Sequence, residues 1–133
     1  MKLNKFFKNL NKNFINTNFN GFEFDSNKIK KNSIFFGIKG SKFDGNKFIN
    51  NAIKNGANVV VSNKFKTGIY KNVLYINVPD PRLTLSNFAT RFYKLKPKNI
   101  VGVTGTNGKS SIADFYYQIL KLNNIKVASI GTL

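Results

Sequence analysis

From Asn99 to Ser111 the chain reads NIVGVTGTNGKSS, joining an apolar β-branched run, a glycine-rich turn and the start of an amphipathic helix. A strand that feeds a helix through glycines demands an α/β architecture, because the helix must lie back across a sheet. Gly105 and Gly108 open backbone conformations closed to residues with a Cβ, so successive amides can turn inward. A helix beginning near Lys109 presents its unpaired N-terminal amides and the positive end of its dipole to the same point. Lys109 adds a mobile charge for terminal phosphates and is the expected catalytic cation, and the Ser110 hydroxyl is placed to ligate Mg²⁺. The phosphate-gripping segment is thus Gly105, Thr106, Asn107, Gly108, Lys109, Ser110 and Ser111. The common spacing G-x-x-x-x-G-K-[ST] is not met, since Val103 stands five places before Gly108; the match is to a tighter G-x-x-G-K-S.

Other elements follow from periodicity. Leu3, Phe6, Phe7, Leu10 and Phe14 fall at helical spacing, predicting a short N-terminal helix that packs on its own domain. Phe22–Phe24 and Ile34–Ile38 read as strands around a turn-rich segment. Phe48, Ile49, Ala52 and Ile53 mark one helix face, with Gly56 as its stop. ANVVVSN and NVLYINV are further strands. Asp80 can cap a helix that Pro81 opens, with Leu83, Leu85, Phe88, Ala89 and Phe92 as its apolar face and Pro97 forbidding continuation. A domain boundary is placed between about residues 94 and 98. Beyond it, IVGV is a predicted strand, 109–122 a helix with Ile112, Phe115, Tyr116, Ile119 and Leu120 on one face, and VASIGTL a strand. The fold class is α/β: a small mixed α/β domain followed by one β-α-β unit with a phosphate-loop connection.

Composition narrows the chemistry. With neither cysteine nor histidine, the chain has no disulfide, thiol nucleophile, Cys/His zinc site or histidine base. The formal charge of +17 invites a nucleic-acid reading. Its lysines, however, are spread along the chain and travel with asparagine, isoleucine and phenylalanine, the residues of A/T-rich codons, so no nucleic-acid partner is expected. No apolar run reaches the roughly 18 residues of a membrane span, and the expected location is cytoplasmic, without stable membrane association.

VGVTGTNGKSS resembles the ATP loop of the Mur ligase superfamily, ATP-dependent enzymes that join a carboxylate to an amino acid. FDSNKIKKNSIFFGIKGSKFDGNKFINNAIKNGANVVV is similar to the N-terminal substrate domain of the branches that add the third amino acid, or the terminal dipeptide, to a UDP-muramoyl peptide. VPDPRLTLSNFATRFY and ASIGTL are similar to the third-residue branch, the UDP-N-acetylmuramoyl-tripeptide synthetases. The resemblance implies a UDP-sugar-binding domain over 1–97 and the incomplete start of a central ATP-binding domain over 98–133. It places Phe24 and Ser26, then Ser41, Lys42 and Phe43, against the nucleotide sugar, and Gly105 to Ser111 on ATP with Mg²⁺ at Ser110. Asn27 stands where the family has arginine, and Lys28 supplies charge there but no bidentate guanidinium.

The implied reaction is peptidoglycan-precursor synthesis. The carboxylate of UDP-N-acetylmuramoyl-L-alanyl-D-glutamate is activated as an acyl phosphate and attacked by the amino group of the incoming amino acid, in a monomeric enzyme. Asp114 is the only acidic residue after the loop, so the chain is expected to be an N-terminal fragment, inactive alone. The alternatives are the dipeptide-adding D-alanyl-D-alanine ligase, a folylpolyglutamate synthetase, and a non-catalytic basic module that binds any polyanion.

Overall fold

The computed structural model describes residues 1–7 and 10–131. The chain divides into two compact units, Met1–Lys94 and Leu95–Leu133.

In the first unit five strands form one sheet: β1 (Gly21–Glu23), β2 (Ser33–Phe36), β3 (Ala57–Ser62), β4 (Gly68–Tyr70) and β5 (Val73–Asn77), in the order β1-β2-β3-β5-β4. All pairings are parallel except β4 with β5. Strand alternation divides the core. Ile34, Phe36, Val59, Val61, Leu74 and Ile76 face helix α2 (Pro81–Phe92) and the N-terminal segment, while Phe35 and Val60 face helix α1 (Ile49–Lys54) with Ile29 and Ala52. Both faces of the parallel sheet are therefore covered, as its continuous apolar strands require.

Phe88 is the hub of the first face. Its ring lies 4.3 Å from Phe6, 5.1 Å from Phe22 and 5.5 Å from Phe36 between centroids. Helix α2 starts where the sequence placed it, with the Asp80 carboxylate accepting from the amides of Arg82 and Leu83 at 2.9 and 3.0 Å and Pro81 in the first turn. Leu83 departs from its expected place on the apolar face: it is 58% exposed, because the sheet takes the stripe through Leu85, Phe88 and Phe92 instead.

Among the described residues the expected N-terminal helix is absent. Only Leu3–Lys5 makes a 3₁₀ turn, and Lys8 and Asn9 lie outside the described residues. The amides of Leu3 and Asn4 bond instead to the carbonyls of Thr17 and Ile15, and Phe19 to that of Met1, so the segment folds back on residues 15–19. Asparagines at 4, 11 and 13 weaken the helical alternative. The expected packing does occur, with Leu3 fully buried and Phe6, Phe7, Leu10 and Phe14 against the core.

Strand β4, three residues long, carries no periodicity of its own in the sequence. It joins β5 through the two-residue turn Lys71-Asn72, whose φ values of 48° and 64° are those of a type I′ hairpin. Asn32, at φ 60°, makes a second left-handed turn before β2. Gly56 ends α1 at φ 111°, where an added Cβ would sit 2.8 Å from Lys31 Cα and 3.1 Å from its nitrogen. Those are backbone atoms, so Gly56→Ala should lower stability by about 3 kcal/mol, read from the urea midpoint; an unchanged midpoint would contradict this packing.

In the second unit helix α3 runs from Lys109 to Leu122, the span expected. Residues 100–103 and 127–131 form no strand ladder among the described residues, and Thr132 and Leu133, the end of the second expected strand, lie outside them. A strand exists only through its pairing partner, and neither apolar run has one here. The α3 face Ile112, Phe115, Tyr116 and Ile119 is correspondingly exposed.

Candidate functional site

Because β1, β2, β3 and β5 are parallel, their carboxyl ends share one edge of the sheet, where open α/β sheets place ligands. Phe24 follows β1 and is 64% exposed; Phe43, on the connection after neighbouring β2, is 74% exposed. Ser41 and Lys42 form the exposed tip of a turn closed by Gly40 N to Phe43 O at 2.8 Å and by a bridge between Lys39 and Asp44.

Ser26 is placed differently from its neighbours, being buried at 5% exposure. Its hydroxyl oxygen accepts from Asn51 Nδ2 at 3.0 Å, and its carbonyl from Asn55 Nδ2 at 2.8 Å, so α1 holds the post-β1 turn. Asn27, in the arginine position, also accepts from Asn51 Nδ2 at 3.3 Å.

The same edge carries residues that sequence reasoning missed. A cleft of about 330 Å³ is lined by Ile38, Lys39, Asn63, Asp80 and Arg82, and Arg82 Nη2 donates to the Lys39 carbonyl at 3.4 Å. Asp44 pairs with Lys64 at 2.7 Å and accepts from Asn46, and these contacts, Lys64 first, hold its carboxyl far below the usual carboxylate range. A depressed carboxylate contributes stability at neutral pH that is lost only as pH falls through its folded value, so the pair is intact throughout the physiological range. A larger hollow, about 610 Å³ between the N-terminal segment, β5 and α2, touches none of the expected site residues and is lined by core side chains such as Phe14, Val78 and Phe88.

In the second unit Gly105 has φ 151° and Gly108 φ 74°, both in the region that favours glycine. Space is not the constraint, since nothing lies within 4 Å of a Cβ at Gly108 and only ordinary contacts meet one at Gly105. Gly108 is the left-handed N-cap of α3 and no side chain caps it. The first helical bond runs from Ile112 N to Gly108 O, so the amides of Lys109, Ser110 and Ser111 precede the ladder. Lys109 Nζ folds back onto the carbonyls of Gly105 and Thr106. Thr106, Asn107, Ser110 and Ser111 are exposed around it. This set fits a polyphosphate: directed amides, a dipole end and one mobile cation.

For a divalent metal the donors are sparse. Among the described residues no cluster of three or more carboxylates exists, and Asp114 accepts from Gln118 Nε2 along the helix. Ser110 could serve Mg²⁺ only beside phosphate oxygens and water.

A protein-family model described as "Mur ligase family, catalytic domain" matches residues 18–93, more than half of the chain. The chain belongs to the Mur ligase family. The matched stretch of this Mur ligase chain covers the sheet and α2 and ends before the glycine loop. The UDP-N-acetylmuramoyl-L-alanyl-D-glutamate–2,6-diaminopimelate ligase of Rickettsia typhi is 42% identical over 94% of the chain and 25% of its own length. The Clostridium tetani ligase of the same name is 39% identical over 100% of the chain and 29% of its own length. The chain thus spans about a quarter of the curated relatives it matches.

Among solved structures, the MurF ligase of Thermotoga maritima in complex with ADP is 30% identical, with TM-score 0.60 over 76% of this chain and 23% of that one. A D-alanyl-D-alanyl ligase of Acinetobacter baumannii has TM-score 0.56 at 23% identity, over 78% of this chain and 23% of that one, and shares the fold. These likenesses agree with the α/β class read from the sequence and with a Mur ligase sheet.

Proposed function

We propose that this chain carries the nucleotide-sugar-binding and phosphate-loop parts of an ATP-dependent ligase that adds the third amino acid to UDP-N-acetylmuramoyl-L-alanyl-D-glutamate. One observation carries the reading: identity to the 2,6-diaminopimelate ligases runs through nearly the whole chain, across both units. Those names supply the incoming amino acid, 2,6-diaminopimelate.

Residues 1–97 take the nucleotide-sugar role, with Phe24 and Phe43 offering aromatic faces to the uracil and Ser26, Ser41 and Lys42 polar contacts. The hydroxyl of Ser26 accepts from Asn51, which leaves its O–H as the donor available to a ligand. Residues 98–133 take the ATP role. The Lys109–Ser111 amides orient the phosphates, Lys109 neutralises their charge, and Ser110 offers one oxygen to an accompanying Mg²⁺. ATP supplies the phosphoryl group that activates the substrate carboxylate.

The same reading puts the enzyme in the cytoplasm as a monomer, with no nucleic acid or stable membrane partner. No described helix is long and apolar enough to cross a membrane.

A second reading has one observation in its favour, the 30% identity to a MurF ligase with ADP. The higher identity to the diaminopimelate ligases weighs against it.

Titrating the chain with UDP and with inorganic pyrophosphate at low and high salt tests the proposal. Saturable UDP binding that survives high salt, with pyrophosphate lost, is the expected result. Equal binding of the two, falling steeply with salt, would instead mark a basic polyanion module and overturn the reading.

A further inference from the structure

We propose that Asp44, Asn46, Ser62 and Lys64 form a closed hydrogen-bonded ring whose role is to position the Ser41–Phe43 turn for nucleotide binding. The proposal rests on the nucleotide-sugar reading of that turn and assigns it support from residues outside it.

The ring can be followed atom by atom. Asp44 Oδ2 accepts from Lys64 Nζ at 2.7 Å. Asp44 Oδ1 accepts from Asn46 Nδ2 at 2.7 Å and from the Asn46 amide at 3.0 Å. Asn46 Oδ1 accepts from the Ser62 hydroxyl at 2.7 Å, and Ser62 Oγ accepts from the Lys64 amide at 3.0 Å, which returns to the starting residue. Ser62 is the anchor: it ends β3, is 1% exposed and sits in register with Asn77 of β5. The ring therefore ties the connection after β2 to the end of the neighbouring strand.

The turn needs such a tie. Its own side chains, Ser41, Lys42 and Phe43, are all exposed, so no apolar anchor fixes it. Backbone bonds close its base, Gly40 N to Phe43 O and Gly45 N to Ile38 O, but neither reaches β3. Gly37 makes room for the ring, since a Cβ there would come within 2.8 Å of Asn46 Oδ1. Every ring member is paired, and its ionic link is of the stronger, charge-assisted kind. Opening either cross-link, Lys64 to Asp44 or Ser62 to Asn46, leaves the turn held by the other alone and one polar group without its partner.

The test is calorimetric titration of the whole chain with UDP. Lys64→Met and Ser62→Ala should each weaken UDP about tenfold. The double variant should lose more than either single, because it removes both cross-links between the connection after β2 and the end of β3. Ser62→Thr keeps the hydroxyl and should bind as the unaltered chain does. Lys64 is exposed, so Lys64→Met should melt near the unaltered temperature, separating positioning from folding and carrying the test alone should Ser62→Ala fail to fold. Undiminished affinity in Lys64→Met, or a double variant no worse than the worse single, would overturn the ring. A failure of the unaltered chain to bind UDP saturably would remove the nucleotide reading itself, and the ring's role with it.

Discussion

Phe88→Ala is expected to lower the melting temperature of the first unit by about 20 °C. Phe88 is 3% exposed and meets Phe6, Phe7, Phe19, Phe22, Phe36 and Phe92, so truncation removes the ring on which the N-terminal segment, β1, β2 and α2 converge. Losing a buried phenylalanine costs about 3–5 kcal/mol, because the transfer term and the cavity add. For a unit of this size each kcal/mol is about 4–8 °C. The neighbouring rings are large and rigid and cannot collapse fully into the space. Phe88→Leu should recover much of the loss. A thermal melt followed by circular dichroism decides it: a shift of only a few degrees would mean that the α2 face is not the core described here.

Lys109→Ala should weaken ATP binding on the order of a hundredfold, the loss expected when one partner of a close charge pair is truncated. The lysine already bonds to the carbonyls of Gly105 and Thr106, so phosphate exchanges partners with them and the net gain is smaller than the gross attraction. Lys109→Arg keeps the charge but cannot reproduce the compact ammonium, and should fall between the two. Titration with ATP and Mg²⁺ measures the effect. Unchanged affinity in Lys109→Ala would remove the loop from the site.

Much of this fold was legible because its signals are local. The runs around Ile34, Val59–Val61 and Leu74–Ile76 read as buried strands, and the Asp80-Pro81 start and the 109–122 periodicity read as helices. Strand β4 escaped because it is three residues long and its turn uses Lys71-Asn72 rather than a glycine pair. The N-terminal segment misled because helical spacing also arises when a folded-back segment buries phenylalanines through turns. Leu83 misled because a twelve-residue helix with several apolar residues has more than one candidate stripe.

The site divides in the same way. The glycine loop was visible because its conformational demands are written in consecutive residues. The link from Asn46 to Ser62 spans 16 positions, and that from Lys64 to Asp44 spans 20. Neither has a sequence signature, since each depends on β2 and β3 lying side by side.

The left-handed turns at Asn32 and Asn72 have a consequence in the unfolded chain. Glycine would enter that conformation more freely, but it would also wander over far more of backbone space before folding. Asparagine tolerates the left-handed region better than most side-chain-bearing residues while sampling a narrower ensemble, so these positions exchange a little native strain for less entropy lost on folding. An alphabet skewed toward asparagine, which looks like mere genomic drift in the composition, thus supplies at these turns a residue whose stabilising effect acts largely before the native contacts exist.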